Sequence, residues 1–175
     1  MHQLMRVVTP IIAAAALALL SVQPAYAATS GGTGTTFTIT GGALSITVPG
    51  AANLGTQAAG ITALTATGSL GDVTVSDARG TIAGWSTTAL STAFAGTTTA
   101  VPASEITYVG GTATTTGIVV VAPLTATDLT SAKPVAAGVS AIGVNSGKWN
   151  PTITVALPAG TVVGTYTATI THSVL

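Results

Sequence analysis

Between residue 35 and the end of the chain, threonine alternates with apolar residues over and over, and this period of two admits few folds. Thr152-Ile153-Thr154-Val155-Ala156-Leu157 and Gly164 to Val174 carry it most strongly, and it recurs at Val73 and Val75 and across Thr114 to Val121. Successive side chains of a strand point to opposite faces, so such a run buries one face and wets the other. Thr and Val are β-branched and prefer the pleated backbone, while frequent Gly and Pro punctuate the runs and discourage long helices. Several short strands with regular turn signals predict an all-β fold, a single immunoglobulin-like β-sandwich.

Within that fold, the two strongest runs flank Pro158-Ala159-Gly160 and are expected to pair antiparallel. A second hairpin is expected across Gly41-Gly42. There Phe37 and Ile39 alternate with threonines on one side, and Leu44, Ile46 and Val48 alternate with Ser45 and Thr47 on the other. The weaker alternation of Gln57 to Ala66 and Ser131 to Ala141 reads as loops or edges.

The chain of 175 residues begins with a different signal. Met1 to Arg6 is a short, positively charged region, Val7 to Leu20 is apolar, and Ala25-Tyr26-Ala27 places small residues where signal peptidase requires them. Residues 1–27 therefore read as a helical secretory signal peptide cleaved after Ala27, because the apolar run is shorter than the ~20 residues a spanning helix needs. Residues 28–34, a Gly, Thr and Ser run, read as a flexible tail, and 35–175 as the folded domain. No membrane span is expected after cleavage, and the localisation implied is extracellular or cell-wall associated.

Charge narrows the function. Charged residues make up only 5% of the sequence, against about 25% in an average soluble domain. Beyond the leader the cations are Arg79, Lys133 and Lys148, well separated, which leaves no basic patch for nucleic acid or anionic lipid. Cysteine is absent, so there is no disulfide, thiolate metal site or lipid-attachment cysteine. The segment Leu157 to Thr161 has the wrong order for a sorting signal.

No catalytic residue, cofactor or metal site is expected. Asp72, Asp77, Glu105 and Asp128 are scattered, and His172 shares a strand face with Tyr166 and Ile170, a packing position rather than that of a general base. Asp77 and Arg79, two apart on one strand face, suit a structural ion pair at a strand end. Trp85, Trp149 and Tyr108 are the candidate ligand-binding residues, because an exposed aromatic ring stacks on sugar. The alternative for each is core packing.

The sequence resembles the WxL-type surface domains, in the divergent form of secreted actinobacterial proteins. The likeness rests on Leu44 to Val48 leading to Leu54-Gly55, on Val73 to Gly80 followed by Gly84-Trp85, and on Trp149 to Val155 with Gly164 to Val174 at the close. Of the two Trp-x-Leu signatures, the first reads Trp85-Ser86-Thr87 and the second His172-Ser173-Val174. The resemblance implies an all-β domain on the Gram-positive envelope that binds peptidoglycan or wall polymer non-covalently, beside other surface proteins. A subunit that assembles with itself into a surface layer or fibre is the alternative.

Overall fold

A computed structural model describes residues 30–175. The leader 1–27, its cleavage site at Ala25 and Ala27, and the first residues of the 28–34 tail lie outside the described residues. The fold is all-β, sandwich-like and antiparallel throughout. Its strands are β1 (Leu44–Thr47), β2 (Leu64–Ser69), β3 (Val73–Asp77), β4 (Trp85–Ser91), β5 (Phe94–Ala95), β6 (Ala100–Val101), β7 (Ile106–Val109), β8 (Ala113–Pro123), β9 (Thr125–Thr127), β10 (Lys133–Trp149), β11 (Thr152–Leu157) and β12 (Ile170–Val174). Among the described residues no helix is long and apolar enough to cross a membrane.

The larger sheet is organised by β10. Strand β8 runs along one edge of it, and the other edge is shared: β4 pairs with Lys133 to Gly138, and β3 with Asn145 to Trp149. Outside these lie β12, on β4, and β1, on β3. The register breaks between Val139 and Ser146, where Ser140 and Gly143 take left-handed backbone angles of 53° and 67°. The sheet folds on itself at that break. Trp85 sits opposite Gly138 and Trp149 lies eleven residues further along β10, which on a straight strand would be roughly 37 Å away. Their ring centroids are instead 6.3 Å apart.

Two cores result. One lies inside the folded sheet and contains Val73, Val75, Trp85, Ala136 and Trp149. The second sheet, β2-β11-β7-β9, supplies Ile106, Tyr108, Ala126, Ile153 and Val155 to the other core, where Ala89 and Val135 of the first sheet meet them. β10 contributes to both.

Three local expectations are corrected. The runs around 152–157 and 164–174 do not pair with each other: β2 and β7 occupy both edges of β11, so the returning chain crosses to the first sheet and joins β4. The hairpin across Gly41-Gly42 does not form either. Leu44–Thr47 pairs with β3, while Thr36 to Thr40 pairs with none of the described strands, and Phe37 is 88% and Ile39 83% exposed. Finally, the stretch from Ser131 to Ala141, expected as loop or edge, lies mostly within central strand β10; the other such stretch, Gln57 to Ala66, is as expected, loop followed by edge strand β2 from Leu64. Alternation is blurred in β10 because small residues replace the usual branched ones. An added Cβ on Gly138 would overlap Trp85 Cε2.

Candidate functional site

The residues singled out by sequence converge on one continuous seam. At its outer end the Asp77 carboxylate, 2% exposed, accepts hydrogen bonds from Arg79 Nε and Nη2, each at 2.9 Å, and from the Arg79 backbone N–H at 3.1 Å. Arg79 also donates to the Gly84 carbonyl at 2.9 Å, tying the loop between β3 and β4. The guanidinium hydrogen bond holds the Asp77 pKa below the usual carboxylate value. A planar, bidentate pair of this kind fixes a turn.

Asn145, across the ladder from Asp77, comes next. Its Oδ1 accepts from Trp85 Nε1 at 3.3 Å, while its Nδ2 donates to the Gly143 carbonyl at 3.0 Å, inside the fold of β10. The Trp85 ring stacks on Trp149 at an interplanar angle of 15°. Trp149 Nε1 then donates to the Tyr108 hydroxyl at 2.9 Å, and this hydroxyl lies 3.3 Å from His172 Nε2. Tyr108 belongs to the second sheet, Trp149 and His172 to the first. The hydroxyl is thus a polar tie between the two layers of the sandwich.

Burial sets the chemistry of this tie. The Tyr108 hydroxyl accepts the Trp149 N–H and shares a further hydrogen bond with His172 Nε2, the hydroxyl donating in one imidazole tautomer and the ring in the other. His172 Nδ1 is buried and has no partner among the described residues. Desolvation lowers the His172 pKa to about 4 and pushes that of Tyr108 up to about 12. The imidazole is neutral at pH 7 and serves as packing and as the hydrogen-bond partner of Tyr108.

The sugar-stacking role of Trp85, Trp149 and Tyr108 is therefore set aside. They are 4%, 1% and 0% exposed, and a ring enclosed on both faces offers none to a ligand. Lys148 and Asn150 flank Trp149 in sequence, and on a strand neighbours face opposite ways. Lys148 reaches outward to Asp72 at 3.1 Å while Trp149 faces the core. The remaining acids are dispersed: Asp128 caps a turn through Thr130 N–H at 3.2 Å, and Glu105 belongs to a single helical turn before β7. Among the described residues no three His, Asp or Glu side chains are grouped to hold a metal.

Two surface features remain. A groove of about 820 Å³ opens beside β2 and β11, lined by Leu54, Leu64, Phe94, Leu157 and Tyr166 among threonines and alanines, with no carboxylate, histidine or lysine. The other is the outer face of the β8–β10 pair, which no motif had marked. Val120 lies opposite Val139 and Ile118 opposite Ile142 across the ladder. All four are exposed, as is Val144 nearby. The signal for it was the run Ile118-Val119-Val120-Val121, too apolar for a strand with one wet face. Comparison of the chain with family models, curated proteins and solved structures gives no match.

Proposed function

We propose that this protein is an exported, non-catalytic domain of the cell envelope that attaches non-covalently to a neighbouring surface protein or to wall polymer, through the outer face of β8 and β10. The observation that carries this reading is the cluster of Ile118, Val120, Val139, Ile142 and Val144, all solvent-exposed and uncharged. Contiguous aliphatic surface of this kind marks an interaction site. The leader-like sequence of residues 1–27 and the WxL-like motifs support an envelope setting. Because the aromatic rings are internal, the support is stronger for a protein partner than for a sugar platform.

The test is retention. The protein is passed over purified peptidoglycan and, separately, over immobilised envelope proteins, beside Val139→Lys and an unrelated β-sandwich of similar size. The expected result is retention on at least one matrix and its loss in V139K. Retention no better than the control on both matrices would remove the proposal.

A further inference from the structure

The same outer face borders an unpaired strand edge, and the chain carries an unpaired strand. β8 pairs with β10 alone, so among the described residues its other side presents backbone N–H and C=O groups to no other strand. Natural sheets protect such edges with lysine, proline or short length. β8 has none of these along its 11 residues until Pro123 at its end, and its one irregularity, Gly117 at φ 76°, precedes the segment that carries Ile118 and Val120. Its outward side chains Ile118 and Val120 are each 60% exposed.

Thr36-Phe37-Thr38-Ile39-Thr40 has the complementary character. It alternates like a strand, pairs with no element among the described residues and exposes Phe37 and Ile39 almost completely. Its two apolar side chains are spaced two residues apart, as Ile118 and Val120 are. Laid along β8, it would set Phe37 and Ile39 beside Ile118 and Val120 on one face, with its threonines on the other. Neither strand carries a charge that would oppose the pairing.

A chain cannot satisfy its own edge in this way. The backbone is still held beside the end of β3 at Gly42, whose N–H donates to the Ala78 carbonyl at 2.6 Å. From there to Ile39 is three residues, at most ~11 Å of extended chain. The position outside β8 lies four strand spacings from the lane of β1, across β3, β10 and β8, or roughly 19 Å. The occupant must come from another molecule.

We infer that Thr36 to Thr40 of one copy adds as an edge strand to β8 of a second copy, so that the protein assembles head to tail. Donor and acceptor are different surfaces, so each added copy presents a fresh free edge and the assembly is open-ended. The inference rests on the reading of the β8–β10 face as an interface, and names a second copy of this chain as what covers it.

The experiment is sedimentation velocity over a concentration series, on protein produced from the full chain. Three forms are compared: wild type, a donor variant with Phe37→Asp and Ile39→Asp, and an acceptor variant with Val120→Lys. Wild type is expected to form a ladder of multiples of the monomer mass. Each variant alone should lose the ladder, and an equimolar mixture should recover dimers but nothing longer, because only one intact donor and one intact edge meet. Should V120K fail to fold, hydrogen exchange on wild type decides: amides of 36–40 and of the β8 edge become protected together in the assembled fraction. A wild type that stays monomeric throughout, a donor variant that assembles as wild type does, or a mixture without dimers overturns strand donation. A monomeric wild type whose retention on envelope proteins is lost in V139K would sink strand donation alone and leave the interface reading standing.

Discussion

Lowering the pH from 7 to 5 should destabilise the fold through one residue, His172. Burial lowers its pKa from 6.5 to about 4, so the folded state prefers the neutral imidazole more than the unfolded chain does. The stability this confers is complete above pH 6.5 and is lost as the pH falls from 6.5 through 4. At 1.36 kcal/mol per unit, the whole effect is about 3 kcal/mol, of which about 2 kcal/mol is gone at pH 5. The geometry agrees in sign: an imidazolium carries an N–H at both ring nitrogens, and among the described residues the buried Nδ1 has no acceptor for one. Urea unfolding at pH 7, 6 and 5 measures it, the midpoint falling by about 1 M for a slope near 2 kcal/mol/M. The control is His172→Gln, which cannot titrate and whose midpoint should be flat over this range. Asp77 and Asp128 do not confuse the window, because their hydrogen bonds move both below the usual carboxylate value. Equal slopes for wild type and H172Q would refute the reasoning.

Two further substitutions probe the seam. Tyr108→Phe removes the acceptor for the buried Trp149 N–H and should lower unfolding free energy by about 1–3 kcal/mol, with the pH 7 urea midpoint as readout; a change below about 0.5 kcal/mol would mean that the inter-sheet tie is energetically idle. Gly138→Ala places a methyl group against the Trp85 ring, itself stacked on Trp149, and should cost about 1–3 kcal/mol or more by overpacking. Gly50→Ala, where an added Cβ meets nothing within 4 Å, is its neutral control in the same thermal melt.

The alternation of threonine with apolar residues made the fold class legible, because period two has one structural meaning. Spacing likewise put Asp77 and Arg79 on the same side of a strand end. What alternation does not encode is the partner. Thr36 to Thr40 has the pattern of a strand yet none of the described strands takes it, and Thr152 to Leu157 pairs with β2 and β7 rather than with its nearest strong neighbour. The longest strand was the least legible, since Gly138 and Gly147 lack side chains where the Trp85 ring lies. A rule concerning large residues overlooks them. For Trp149 the polar neighbours Lys148 and Asn150 are no guide to exposure, because on a strand the adjacent residue reports on the opposite face.

The folded course of β10 also bears on how the domain comes into being. One strand supplies both cores, so neither layer can be completed before residues 133–149 are in place, and its partners lie far away in sequence: Trp85 opposite Gly138, Val73 opposite Trp149. Contacts of such long range require large loops to close before any packing rewards them, which slows folding. Loss of either core releases the strand that holds the other. Unfolding should therefore be a single cooperative event, with the amides of both sheets exchanging at one common free energy.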